Sequence, residues 1–304
     1  MWEITSKDDL TIVLPILDEE EGVGQVIEEL NKFGYKKILV VDGYSSDGSR
    51  EVAAKMGARV VEQIGKGKTG ALITAIKSVK TPYMLVMDGD FTYDPSCIKR
   101  MIAHASGHDE IIGARTEGRQ HIPLINRLGN HLLNWLFRAL FAVRLSDVCS
   151  GMYLLRTAAA RRLDFTTGGF DVEVEIASQF AAERRIAEVP VNYRPRVGVK
   201  KLSSFKHGLR IGTTIVRLAN AYNPVLLYSG VIAVTVVPAI AILGWALYRR
   251  FFWSELRTDY FLMAFMLFLV AAQAVSVATT SILIQRFERR LRGIISGEAH
   301  GEGS

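Results

Sequence analysis

Two carboxylates one residue apart, Asp88 and Asp90, follow the apolar run Val86-Met87 and flank Gly89. At the end of a strand, one such side chain reaches a metal while the other takes a ribose hydroxyl or a metal-bound water. The glycine between them permits a tight turn. Magnesium or manganese suits this pair, because these hard ions take a few carboxylates and complete their shell with phosphate oxygens. Further carboxylates follow other apolar runs: Asp18 and Glu19 after residues 10–17, and Asp42 and Asp47 after residues 37–41. Each alone reads as a helix cap or turn residue. Acidic strand ends gathered at one crevice, however, raise each other's cost unless a cation or donor groups compensate.

Cations stand at similar places. In Gly65-Lys66-Gly67-Lys68 the glycines allow close backbone approach, and Lys66 and Lys68 supply charge for a diphosphate before a helix N-terminus. The spacing is not that of a Walker A loop, and a basic surface turn is the plain alternative. Arg115, after the run ending at Gly113-Ala114, and Arg127 further on are candidates for a second phosphate, although exposed arginines are usually just solvated.

The elements that must position these groups alternate. Apolar runs at 10–17, 37–41, 59–62, 83–87 and 110–113 predict strands, and the segments 49–56, 69–79 and 95–105 predict helices between them. This alternation implies an α/β domain with a mainly parallel sheet and helices on both faces. Ligands of such sheets bind at the carboxyl ends of the strands, where the carboxylates lie. The apolar segment 131–145 carries His131, Asn134 and Arg138 on one helical face, the form of an interfacial helix, although a core helix fits the same pattern.

Two uncharged stretches, 225–248 and 260–285, each exceed the roughly 20 apolar residues needed to cross a bilayer core. Buried core helices seldom avoid every charge over that length, and Pro238 is tolerated in a membrane helix. Arginines and lysines cluster before the first span (Arg194, Arg196, Lys200, Lys201, Lys206, Arg210, Arg217) and after the second (Arg286, Arg289, Arg290, Arg292). Arg249, Arg250 and Arg257 lie between them, so the positive-inside bias predicts an integral membrane protein with both termini and the catalytic domain in the cytoplasm. No signal sequence precedes Thr11, in keeping with an N-terminus that stays inside. The 304 residues thus divide into a catalytic domain over 1–204, an interfacial amphipathic helix over 205–222 and a two-helix transmembrane hairpin with its tail over 223–304.

The net charge of +6 suits an anionic membrane surface or an anionic substrate. With no zinc-finger, homeodomain or RNP pattern, nucleic acid is not an expected partner. Cys97 and Cys149 lack metal-ligand spacing and fit a reduced compartment.

Taken in order, Leu14-Pro15-Ile16-Leu17-Asp18-Glu19, Val40-Val41-Asp42-Gly43-Tyr44-Ser45-Ser46-Asp47-Gly48-Ser49, Gly65-Lys66-Gly67-Lys68 and Asp88-Gly89-Asp90 resemble the motifs of family 2 glycosyltransferases. Asp147-Val148-Cys149-Ser150-Gly151 and Arg196-Val197-Gly198-Val199-Lys200-Lys201-Leu202 look like the later motifs of the dolichyl-phosphate mannose synthase branch. The resemblance implies a GT-A (Rossmann-like) fold, a UDP- or GDP-hexose donor, magnesium or manganese, inversion at the anomeric carbon, and dolichyl or polyprenyl phosphate as acceptor. It assigns Pro15, Leu17, Glu19, Asp42, Lys66, Lys68 and Gly89 to the nucleotide-sugar site, together with Asp88 and Asp90 as metal ligands. Arg196 and Lys201 would close over the diphosphate, and Arg115, Arg127 and His131 would receive the acceptor phosphate. Asp88, Asp90, Arg115 and Arg127 are then the catalytic set. The chain departs from the family at Asp18 and Leu17, where an Asn and an aromatic are usual, at Gly43, at Thr92 in place of a metal-binding Gln, and at Lys200 in place of a Ser.

The expected activity is a membrane-bound polyprenyl-phosphate hexosyltransferase, with a homo-oligomer compatible with it. A lipid phosphate, whose second pKa is about 6, is already largely ionised near neutral pH and attacks without a strong base. A processive polysaccharide synthase would carry a Gln-x-x-Arg-Trp motif, which is missing here. A non-catalytic nucleotide-sugar-binding membrane protein would not need both Asp88 and Asp90. Transport through the hairpin alone lacks polar pathway residues apart from Gln273.

Overall fold

The computed structural model describes residues 6–166, 171–197 and 204–301. Lys200 and Lys201, with the rest of residues 198–203, lie outside the described residues, as does the side chain of Lys206.

The strands are β1 (Leu10–Ile16), β2 (Ile38–Asp42), β3 (Arg59–Glu62), β4 (Tyr83–Val86), β5 (Glu110–Glu117), β6 (Tyr153–Arg156) and β7 (Ile186–Asn192). They form one sheet in the order β3-β2-β1-β4-β6-β5-β7. β1 pairs in parallel with β2 and β4, β2 with β3, and β5 with β7. β6 runs antiparallel between β4 and β5. The helices are α1 (Glu20–Lys32), α2 (Ser49–Lys55), α3 (Gly67–Ser78), α4 (Ile98–Ala103), α5 (Leu124–Phe141), α6 (Thr157–Ala160), α7 (Val172–Ala182), α8 (Ser204–Tyr222), α9 (Pro224–Phe252) and α10 (Thr258–Gly301).

Alternation along β1 explains the two layers. Leu10, Ile12, Leu14 and Ile16 join a buried cluster with Val23, Val26, Ile27 and Leu30 of α1. Val13, on the opposite face, packs in a second cluster with Ala71, Leu72, Ala75 and Ile76 of α3. A strand covered on both faces reads as a continuous apolar run, as a parallel central strand should. Burying each of its large side chains contributes about 1.5–3 kcal/mol.

Two expectations change in ways that matter to the site. The third helix begins at Gly67, so Lys68 sits in the first turn of α3 and not in a loop before it. The segment expected over 131–145 is α5, which starts at Leu124 and ends at Phe141, where Ala142 adopts a left-handed φ of 54°. Asn134, expected on the polar face, points into the protein: its amide donates to Ser146 O (2.6 Å), and its Oδ1 accepts from Val148 N (2.9 Å). The face left exposed carries Leu124, Ile125, Leu128, Leu132 and Trp135.

The chain forms two compact units, one up to Ile215 and one from Val216 onward. In the second unit α9 (29 residues) and the first 27 residues of α10, Thr258–Ile284, are long and apolar enough to cross a membrane, and few of their residues are buried. They pack on each other, with small residues such as Ala239, Ala246, Ala264, Ala271 and Ala274 buried, and fit a hairpin of membrane spans. In the first unit, Leu14→Ala at the centre of β1 is expected to cost about 2–5 kcal/mol through lost burial and a residual cavity. The thermal midpoint of the full chain in detergent should fall accordingly.

Candidate active site

The loops after β1 and β2 are stitched together at the carboxyl ends of their strands. Asp18, at a left-handed φ of 48°, accepts through Oδ1 from the backbone N–H (2.7 Å) and hydroxyl (3.1 Å) of Ser46, while Ser45 Oγ accepts from Asp18 N (2.9 Å). Asp47 accepts from Glu20 N (3.2 Å) and Ser49 N (3.0 Å). Asp42 is fully buried and accepts from Tyr44 N (3.1 Å) and Ser45 N (3.1 Å), so it shapes the turn from within. Leu17 and the ring of Tyr44 are exposed beside this turn, and Pro15 is half-buried in β1.

Asp88 and Asp90 follow β4 at the same edge. Lys68 Nζ donates to Asp88 Oδ1 (2.7 Å) and lies 2.5 Å from Glu173 Oε1 in the first turn of α7. Asp88 presses on Gly151: a Cβ there would stand 2.0 Å from Asp88 Oδ2, so only glycine admits this position of the carboxylate. Gly89 is also tight, since a Cβ would meet Ile16 Cγ2 at 2.7 Å. Asp90 Oδ1 accepts from the Thr92 hydroxyl (2.5 Å) and backbone N–H (3.2 Å), and Arg196 lies 3.4 Å from Oδ2. Burial and the neighbouring Asp88 push the Asp90 carboxyl above its ordinary pKa, against the pull of Thr92 and Arg196. Arg196 also donates to Glu19 Oε1 (2.6 Å).

No third His, Cys, Asp or Glu joins Asp88 and Asp90 in a metal-binding cluster among the described residues. Thr92, at the position of the family's glutamine, is buried and spends its hydroxyl on Asp90. Two carboxylates with Asp88 still a third exposed (33%) fit a magnesium or manganese ion that takes its remaining ligands from water and phosphate.

A cleft of about 130 Å³ is lined by Arg115, Arg119, Ile122, Arg127, Asn130, His131, Asn134, Ser146 and Asp147. It brings together Arg115, Arg127 and His131. Arg115 forms a two-pronged pair with Asp147, Nε to Oδ2 and Nη2 to Oδ1 at 2.7 Å each, and its guanidinium lies over the Tyr193 ring. Burial alone would lower its pKa, but Asp147 together with Tyr93 and Tyr193 more than offsets that and holds it well above the usual value. Arg127 Nε is buried with no hydrogen-bond partner among the described residues, the condition of a donor that awaits an acceptor. The segment 147–151 joins the two places: Asp147 and Cys149 O hold Arg115, and Gly151 underlies Asp88.

The structure therefore places Asp88, Gly89, Asp90, Glu19, Asp42 and Arg196 at one strand-end crevice, with Arg115, Arg127 and His131 at the cleft. Lys66 is exposed at the start of α3, Lys68 is turned inward between two carboxylates, and Lys201 lies outside the described residues. Sequence reasoning assigned no role to Glu173, Arg119 or the Asp147 side chain. For Glu173 a signal was present, one of two acidic residues in the first turn of a largely apolar helix, but nothing in the pattern pointed it at Lys68.

The sequence profile of "Glycosyl transferase family 2" matches residues 11–164. Glycosyltransferase AglJ of Haloferax volcanii is 32% identical over 253 residues, covering 81% of this chain and 82% of that protein. A dolichyl-phosphate hexose transferase of the same organism is 32% identical over 216 residues, covering 69% of this chain and 94% of its own. Among solved structures, glucosyl-3-phosphoglycerate synthase from Mycobacterium tuberculosis in complex with Mn2+, UDP-glucose and phosphoglyceric acid superposes with a TM-score of 0.57 at 19% identity, over 72% of this chain and 84% of that one. That likeness, with the sheet order, shows a shared GT-A-type fold. With the profile spanning the strands that carry Asp42, Asp88 and Asp90, the chain belongs to glycosyl transferase family 2 and is a glycosyltransferase.

Proposed function

We propose that this glycosyltransferase moves a hexose, with inversion, from a UDP- or GDP-linked donor to a dolichyl or polyprenyl phosphate at the membrane. The observation that carries this reading is the segment 147–151, which spans from the Asp88 carboxylate to a cleft containing Arg115, Arg119, Arg127 and His131. Donor and phosphate acceptor would thereby meet across one loop. The dolichyl-phosphate hexose transferase among the relatives supports the acceptor class, and the Mn2+ and UDP-glucose bound by the structural neighbour support the donor class.

In this reading Pro15, Leu17 and the exposed Tyr44 ring offer an apolar wall to the base, and Asp42 and Glu19 act through the turns and the Arg196 pair that they hold. Asp88 and Asp90 would hold a divalent ion, which would supply positive charge beside the departing diphosphate. Lys66 and Arg196 add cations near it, with Lys201 as a further candidate. Arg115 and Arg127 orient the lipid phosphate, and His131 lines the same cleft. One phosphate oxygen forms a bond to the anomeric carbon from the face opposite the leaving group, the bond from that carbon to the donor phosphate oxygen breaks, and the nucleoside diphosphate departs with the electron pair. An ionised phosphate, with its second pKa of about 6, brings no proton to remove, so the site requires alignment more than a base.

The exposed apolar face of α5 would lie in the headgroup region, and α9 and α10 would anchor the chain with the catalytic unit on the cytoplasmic side. A homo-oligomer is compatible with this arrangement.

Purified full chain supplied with UDP- and GDP-hexoses and polyprenyl phosphate should yield a lipid-phosphate-linked sugar. Asp90→Ala, or excess chelator on the wild type, should abolish turnover in folded protein; normal turnover in either case would sink the metal assignment. Arg127→Ala should raise KM for polyprenyl phosphate by about tenfold, the loss expected from one charge-assisted hydrogen bond, while nucleotide-sugar binding measured by calorimetry stays unchanged. The opposite split would exchange the roles of the two regions. Leu128→Glu with Leu132→Glu should lower turnover on a long-chain lipid in bilayers and spare a short, soluble polyprenyl phosphate. Equal losses on both acceptors would remove α5 from the membrane.

A further inference from the structure

Lys68 is the cation that a glycine-rich turn would offer a diphosphate, yet its position speaks for another task. Its ammonium is 2.7 Å from Asp88 Oδ1 and 2.5 Å from Glu173 Oε1, with only 12% of its side chain exposed. Glu173 is itself 7% exposed and sits in the first turn of α7, where the helix dipole favours a carboxylate. Burial raises the Glu173 pKa, while Lys68 pulls it back toward the charged form. To reach a diphosphate, Lys68 would have to leave Glu173 behind as an unpaired buried carboxylate, an unfavourable exchange.

We infer that Glu173 and Lys68 are positioning residues, Glu173 fixing the ammonium and the ammonium fixing Asp88 so that its carboxylate presents to the crevice next to Asp90. Neither residue touches the reacting atoms. Lys68 holds Oδ1, and Oδ2 lies where a side chain at Gly151 would stand, so the two together restrain the carboxylate. Outer partners of this kind commonly shift metal affinity by about 10–100-fold when removed. The inference rests on the metal and donor roles proposed above for Asp88, and its test separates the two.

UDP and GDP are titrated calorimetrically into the full chain in detergent, with and without Mn2+, for the wild type, Lys68→Met, Glu173→Gln and the double variant. Metal-free nucleotide affinity should stay within about twofold of wild type throughout, since a positioning pair makes no contact with the diphosphate. The strengthening conferred by Mn2+ should fall about tenfold in each single variant, and no further in the double, because Glu173 acts only through Lys68. The same cycle run on Mn2+ alone by electron paramagnetic resonance needs no nucleotide, so wild type that bound neither nucleotide would defeat the donor reading while this cycle still decided the positioning. A tenfold loss of metal-free nucleotide affinity in Lys68→Met would make Lys68 a diphosphate clamp and overturn the inference, on the scale of one charge-assisted bond worth roughly that factor. So would a rise in Mn2+ affinity in that variant, or additive effects in the double. Should Glu173→Gln fail to fold, the double variant leaves no lone buried charge, and its comparison with Lys68→Met carries the test.

Discussion

Crowding of carboxylates at the carboxyl ends of β1, β2 and β4 is the constraint on which the site depends. Each is answered by a specific partner within the protein: Asp42 by backbone N–H groups, Glu19 by Arg196, Asp90 by Thr92 and Arg196, Asp88 by Lys68, and Glu173 by the same Lys68. Like charges this close persist only when donors or cations offset them. The partners differ in how easily they can be given up. Asp42 is fully buried and bonded to its own turn, so it belongs to the scaffold. Arg196, by contrast, is 28% exposed and only 3.4 Å from Asp90, an arrangement that a stronger cation can replace.

The same logic extends to the cleft. Arg115 is held by Asp147 through two bonds, which neutralises it and fixes its orientation, whereas Arg127 keeps a buried Nε without a partner among the described residues. The cleft therefore combines a neutralised Arg115 with the further cations Arg119 and Arg127, a balance that leaves it open to an anion. Tyr93 braces this region, its hydroxyl accepting from Gly151 N at 2.7 Å, so a single buried side chain supports both the floor under Asp88 and the segment that restrains Arg115.

The positions of Asp88 and Asp90 were legible in the sequence because a short apolar run followed by acidic residues and glycine has few readings other than a strand end. The 59–62 strand agrees with β3 residue for residue. Lys68 was misplaced because glycine marks loops more often than helix starts, and here Gly67 opens α3 and turns the lysine inward. The antiparallel β6 was not read at all: four residues between loops carry no period of their own, and their pairing with β4 and β5 is a property of the assembled sheet. Periodicity likewise finds an amphipathic helix without saying which face is buried. Asn134 looked like surface because amides usually are, and only its two bonds to the 146–148 segment make it an inward residue.

That reversal on α5 bears on the kind of acceptor the site suits. Arg127 and His131, four residues apart, line the cleft, while Leu128 and Leu132, the next residue in each case, stand exposed on the adjoining face. One helix thus sets cationic and polar groups beside an unpaired apolar surface. A small soluble phosphate would use only the first of these, leaving Leu124, Ile125, Leu128, Leu132 and Trp135 as an exposed patch with no counterpart. An acceptor with a phosphate head and a hydrocarbon chain, at rest in a bilayer, uses both. In the proposed function its charge would meet the cleft where the lipid headgroups end and the apolar face would meet the chains, so α5 would also set the depth at which the phosphate is presented.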